Sequence, residues 1–361
     1  MPNDYIITVN PAGTNIKILL TDKPTGEPAT LSTSMLYNLT VGGIADAVNH
    51  TIRQQGSLIL PNFPEEAHVG RYAKRFEPSK LEFVLAADEN QPDHADLQTV
   101  ADVLKGIQQL SHEYLLQELF FVVFDLSEAD QPLIATGCLA YQCEAGPDIP
   151  PSLISQTETP DLSTMDPTTS DAQAASNSSE GDVSNAVYTM GGFNDGVKLV
   201  VARSGSAAEP IIPTNFADVA VQALWKVLKL VSGSPTDPTL PSTAEGAGGG
   251  SPNWVARDEN FASSLSMDFY QSGDNPFTLG TLAKTMLVIQ LNMDKMPLTS
   301  SSIIVGVPSG DPREPWMEVG SGCIGYQQGG QALCTKTSAS IIVGPDGGLN
   351  NATSNQLVAT T

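Results

Sequence analysis

The sequence predicts an α+β protein built as two tandem, duplicated two-layer α/β sandwiches with mainly antiparallel sheets, of the ferredoxin-like or split βαβ kind. Three observations lead there. The stretch TGCLAYQ at 136–142 returns as SGCIGYQ at 321–327. Each copy is preceded by the same succession of apolar runs and amphipathic stretches. A Ser/Thr/Pro/Asp-rich segment without aromatic residues separates the two series.

Taken in order, IKILL (16–20) and VKLVV (197–201) read as buried strands, with Lys17 and Lys198 at the same place in each. IADA (44–47) and FADV (216–219) read as corresponding helix starts, and SLIL (57–60) as a short strand after the first helix. LEFVLA and LSMDFY alternate with period two, placing Leu81, Phe83 and Leu85, and Leu265, Met267 and Phe269, on one face. Leu97, Val100, Leu104 and Ile107 are spaced by threes and fours; Leu279, Leu282, Met286 and Ile289 repeat that helical stripe 182 residues later. LFFVVFD (119–125) and SIIVGVP (302–308) are apolar, β-branched or aromatic runs that read as strands leading to the repeated heptapeptide. The order in each half is therefore strand, helix, strand, helix, strand, strand.

The expected boundaries are a first repeat at 1–143, a flexible linker at 144–185, and a second repeat at 186–361 interrupted by a loop insertion at 232–252. At 361 residues and 40% hydrophobic, each half has the size at which a domain buries about 70% of its unfolded surface, so each is expected to fold alone.

Lys plus Arg total 17 against 40 Asp plus Glu, a formal net charge of -23. Phosphate backbones and anionic lipid surfaces repel such a chain, which argues against nucleic-acid binding. No run of eighteen apolar residues occurs, so membrane insertion is not expected. MPNDYIITVN lacks the charged start and apolar core of a secretory signal, leaving a cytoplasmic protein or one whose signal has been removed. No Lys or Arg lies between Lys105 and Lys198. That, with the Ser/Thr/Pro stalk, is compatible with an extracellular or cell-surface location.

A two-residue turn at Gln328 and Gly329 would set Cys323 opposite Cys334, within disulfide reach. Cys138 and Cys143, if extended, would stand about 16 Å apart and could not bridge. No nucleophile-elbow, zinc-protease, phosphate-loop or dinucleotide motif occurs. The four histidines, His50, His68, His94 and His112, all fall in the first half. Asp93, His94 and Asp96 cluster at a helix start, about 27 Å by helical rise from His112 and Glu113, so the two groups cannot form one site. Asp93 or Asp96 reads as an N-cap and His112 as a complement to the helix dipole. Trp316 and Arg313, in DPREPWMEV, are the candidate binding residues. No metal site and no cofactor is expected.

The segments HADLQTVADVLKGI and FTLGTLAKTMLVI, each followed by an apolar strand and then a strand carrying Gly-Cys, resemble a pattern in uncharacterised secreted proteins of filamentous fungi. The resemblance implies an extracellular origin and no catalytic residues. The expected function is non-catalytic: binding a protein or small-molecule partner, or self-assembly into a homo-oligomer. The alternative is an enzyme with a small-molecule cleft within or between the two sandwiches, an analogy from fold alone.

Overall fold

The computed structural model describes residues 7–22, 29–60, 70–76, 80–143, 187–192, 195–203, 210–240, 253–257, 264–272, 275–293, 298–313 and 315–326. The first half contains β1 (Ile7–Val9), β2 (Ile16–Asp22), α1 (Thr33–Arg53), β3 (Arg71–Phe76), β4 (Leu81–Ala87), α2 (Leu97–Glu113), β5 (Leu119–Asp125) and β6 (Leu133–Ala140). The second contains β7 (Val187–Gly192), β8 (Val197–Arg203), α3 (Pro213–Val231), β9 (Asn253–Arg257), β10 (Leu265–Gln271), α4 (Leu279–Met293), β11 (Ser301–Pro308) and β12 (Trp316–Tyr326).

Each half is a six-stranded sheet, ordered β1-β2-β5-β6-β4-β3 and β7-β8-β11-β12-β10-β9. The two orders are the same order. Every neighbouring pair is antiparallel. Because β6 lies between β4 and β5 and opposes both, β4 and β5 run the same way, joined through α2 as a split β-α-β unit. Even the irregularities repeat: the β5–β6 ladder shifts register at Val123/Phe124 and the β11–β12 ladder at Val305/Gly306.

The glycine and the tyrosine of the repeated heptapeptide each have a physical reason. Gly137 pairs with Phe121 and Gly322 with Phe269 across the ladder. A Cβ on Gly137 would sit 2.2 Å from the Phe121 ring, and one on Gly322 would sit 2.5 Å from the Phe269 ring, so both aromatic rings lie over bare backbone. The motif tyrosine ties the last strand to the third residue of the first helix in its own half. The Tyr141 hydroxyl lies 3.7 Å from Met35 Sδ, and Asn215 Nδ2 donates to the Tyr326 hydroxyl at 3.1 Å. Tyr326 also accepts the Ile212 backbone N–H at 3.0 Å, which satisfies one of the orphan donors at the start of α3.

The halves do not stand apart. α1 packs against α3 and α4 of the other half, and α2 packs against α3, so the four helices lie between the two sheets. Consecutive burial records this: Leu39–Ala45 in α1, Thr99–Gln108 in α2 and Phe216–Trp225 in α3 are buried without a break. Seven or ten successive residues cover every face of a helix with 3.6 residues per turn, so these helices have no solvent side along those stretches. The two tandem α/β sandwiches expected from the sequence are present, and they pack through their helices into a stack of sheet, helices, helices, sheet.

Several local expectations change. The end strands β1, β3, β7 and β9 add to the expected order; RYAKRF and NWVAR carry charge in place of an apolar run, and β1 is only three residues long. Ile44 lies in the middle of α1, whereas Phe216 is the fourth residue of α3, so Leu36 rather than Ile44 is its counterpart. SLIL forms a single bridge, Ile59 to Asp96, and Thr239 to Thr278 is the matching bridge. Residues 232–240 are thus the counterpart of the segment after α1 and no insertion; Asp237 Oδ1 accepts the Gly280 N–H at 3.0 Å at the start of α4. The remainder of the expected insertion, 241–252, and the whole of the expected linker, 144–185, lie outside the described residues.

Candidate functional site

Several polar side chains are buried in the layer where the helices of the two halves meet, and some of them bond from one half to the other. Thr40 Oγ1 donates to Gln108 Oε1 at 2.6 Å, and Gln108 Nε2 donates to Asp218 Oδ1 at 2.9 Å. His112 Nε2 lies 2.6 Å from the same oxygen, and the Asp218 side chain is 1% exposed. The Tyr37 ring stacks on His112 with centroids 6.3 Å apart, and burial raises the tyrosine pKa. His112 stands in the last turn of α2, where a cation complements the helix dipole, and it also reaches the other half.

Further along α2, Asp102 Oδ1 accepts the Trp225 Nε1–H at 2.5 Å and a Gln98 amide N–H at 2.8 Å. Two ammonium groups stand over the Trp225 ring, Lys105 Nζ at 3.9 Å and Lys229 Nζ at 3.6 Å from its centroid. Burial raises the Asp102 pKa, against the lowering effect of Trp225, Gln98 and Lys229.

Beside this cluster opens a cleft of about 360 Å3, lined by Gly13 and Thr14 from the β1–β2 turn, by Asp96, Gln98, Thr99 and Asp102 from the start of α2, by Asp125, and by Lys229 of the other half. Asp96 is the N-cap of α2. Its carboxylate accepts the Thr99 N–H at 2.8 Å, while Thr99 Oγ1 accepts the Asp96 N–H at 3.2 Å, a reciprocal capping box. Burial nonetheless raises the Asp96 pKa. At the mouth, His94, Asp125 and Glu128 each bring one donor atom, all within 4.8 Å of one another, an arrangement that could hold a metal ion.

The sequence-derived binding residues lie elsewhere. Trp316 is the first residue of β12, and Lys198 Nζ stands 5.7 Å from its ring centroid. Arg313 is exposed in the turn before it, with its backbone N–H on Asp311 Oδ1 at 2.8 Å. Neither residue lines the cleft. Cys138 and Cys143 are disulfide-bonded with Cα atoms 6.0 Å apart. The expectation that they could not bridge assumed an extended chain; β6 ends at Ala140, and bends at Tyr141 and Gln142 bring Cys143 back. Cys323 is disulfide-bonded as well, and Cys334, its expected partner, lies outside the described residues.

Asp102, Asp218, Trp225 and Lys229 were missed. A signal was present in FADVAVQALW, where Asp218 and Gln222 stand four apart inside an otherwise apolar helix. A buried carboxyl must find partners, and those of Asp218, Gln108 and His112, come from the other half. Compared with known proteins, the chain matches no family model, no curated protein and no solved structure.

Proposed function

We propose that this is a non-catalytic secreted or cell-surface protein that works by binding, either to a partner protein or to further copies of itself. The observation that carries the reading is the end strand β9, which among the described strands pairs only with β10 and holds Val255 44% exposed. A strand with one free edge and an apolar side chain facing solvent is a template for added strands. Secretion is supported by the Cys138–Cys143 disulfide and by the resemblance to fungal secreted proteins. No described helix is long and apolar enough to cross a membrane. Sedimentation velocity across a wide concentration range tests self-assembly: wild type should associate, and Val255→Lys should remain monomeric. A wild type that is monomeric throughout, and whose partner binding Val255→Lys leaves unchanged, would remove the reading.

A second reading, an enzyme with a small-molecule cleft between the halves, is favoured by two carboxyl groups of raised pKa, Asp96 and Asp102, lining a cleft that also receives Lys229. Turnover of an ester, glycoside or amide probe that Asp96→Asn abolishes would establish this reading over the first.

A further inference from the structure

We infer that His94, Asp125 and Glu128 form a binding site for one divalent first-row transition ion, of the zinc or manganese kind, at the mouth of the cleft. The donors converge from two separate connections, His94 from the turn between β4 and α2, Asp125 and Glu128 from the end of β5 and the turn after it. His94 Nδ1 is 3.9 Å from Glu128 Oε1. No Lys or Arg among the described residues forms an ion pair with Asp125 or Glu128. In a chain of net charge -23, the two carboxylates meet beside one imidazole, and a dication would relieve their repulsion. One Asp125 oxygen is already oriented, since Oδ1 accepts the Ser127 N–H at 2.7 Å, as carboxylates that ligate metals commonly are.

The second repeat supplies an internal comparison. The positions that correspond to His94, Asp125 and Glu128 by the helix and strand registers are Pro276, Val307 and Gly310, none of which offers a side-chain ligand. All three donors therefore belong to one half, although both halves carry the same strand order and the same register shift beside the turn. One imidazole nitrogen with two carboxylates suits zinc or manganese better than calcium or magnesium, which favour all-oxygen shells. Three protein ligands also leave a coordination position open, and two of them, His94 and Asp125, line the cleft with Asp96. The inference is independent of strand β9 and its role in association.

Isothermal titration of the whole chain with Zn2+ and, separately, Mn2+ tests it. One equivalent should bind, and His94→Ala and Glu128→Gln should each weaken binding by about tenfold or more. Asp311→Asn, in the matching turn of the second half, should leave it unchanged. Circular dichroism should show both first-half variants folded, as expected for exposed positions. Absence of a stoichiometric event overturns the inference. So does binding that His94→Ala and Glu128→Gln leave intact, because that is diffuse attraction of cations to an acidic surface.

Discussion

The pair of His112 and Asp218 shows how much a single residue contributes to holding the halves together. Asp218 is 2% exposed, and its Oδ2 has no hydrogen-bond partner among the described residues, so the carboxylate depends on His112 and Gln108 through Oδ1. Removing one member of a buried pair leaves the other uncompensated, and His112→Ala should cost roughly 3 kcal/mol in chemical denaturation. A loss below about 1 kcal/mol would mean that water already screens the contact. Asp102 provides a pH test. Burial raises its folded pKa above the unfolded value, so the stability linked to its proton is fully present below the unfolded pKa of about 3.9 and is lost as pH rises through the folded pKa. The stability difference between wild type and Asp102→Asn should therefore shift in favour of wild type as pH falls from neutrality toward that value. A difference that does not move with pH would mean that Asp102 titrates alike in both states.

Among the elements, the central strands and the second helix of each half were legible because their sequences follow one rule throughout. Leu81, Phe83 and Leu85 alternate and are all fully buried, and α2 carries its stripe from Leu97 to Ile107. The end strands were not legible, since a strand with one neighbour tolerates Arg71, Lys74 and Arg75, and its pairing is decided by the partner β4. α1 was misaligned for a related reason. It is buried along Leu39–Ala45 by elements from both halves, so it lacks the polar face that would have fixed its start. The Gly-Cys of the repeated heptapeptide was visible as a pattern, but its cause, an aromatic ring over each glycine, needed the ladder. Gly137→Ala should destabilise by about 1–3 kcal/mol, because its Cβ would also meet the Val84 carbonyl oxygen at 2.2 Å. Gly306→Ala, with no neighbour of its Cβ closer than 3.6 Å, should be close to neutral. Equal effects at both positions would remove the close-approach explanation.

At the scale of the molecule, the duplication was readable from sequence and the docking of its halves was not. Repetition is a property of order along the chain, whereas docking depends on which faces are left for the other half. Asp102, Asp218 and Trp225 look like ordinary helix residues until their partners across the layer are known. The site shares this division: His94 and Asp96 were visible as a cluster, but Asp125, Glu128 and Lys229 join them only through folding. The central structural claim is that the four helices make one layer shared by both sheets. It is tested most directly by placing a specific protease site within 144–185, cutting it, and measuring the particle mass by light scattering on a sizing column under native conditions. Both fragments should travel together at the mass of the uncut chain, held by the helix layer without a covalent link. Two separated particles of half that mass, each still folded, would contradict it.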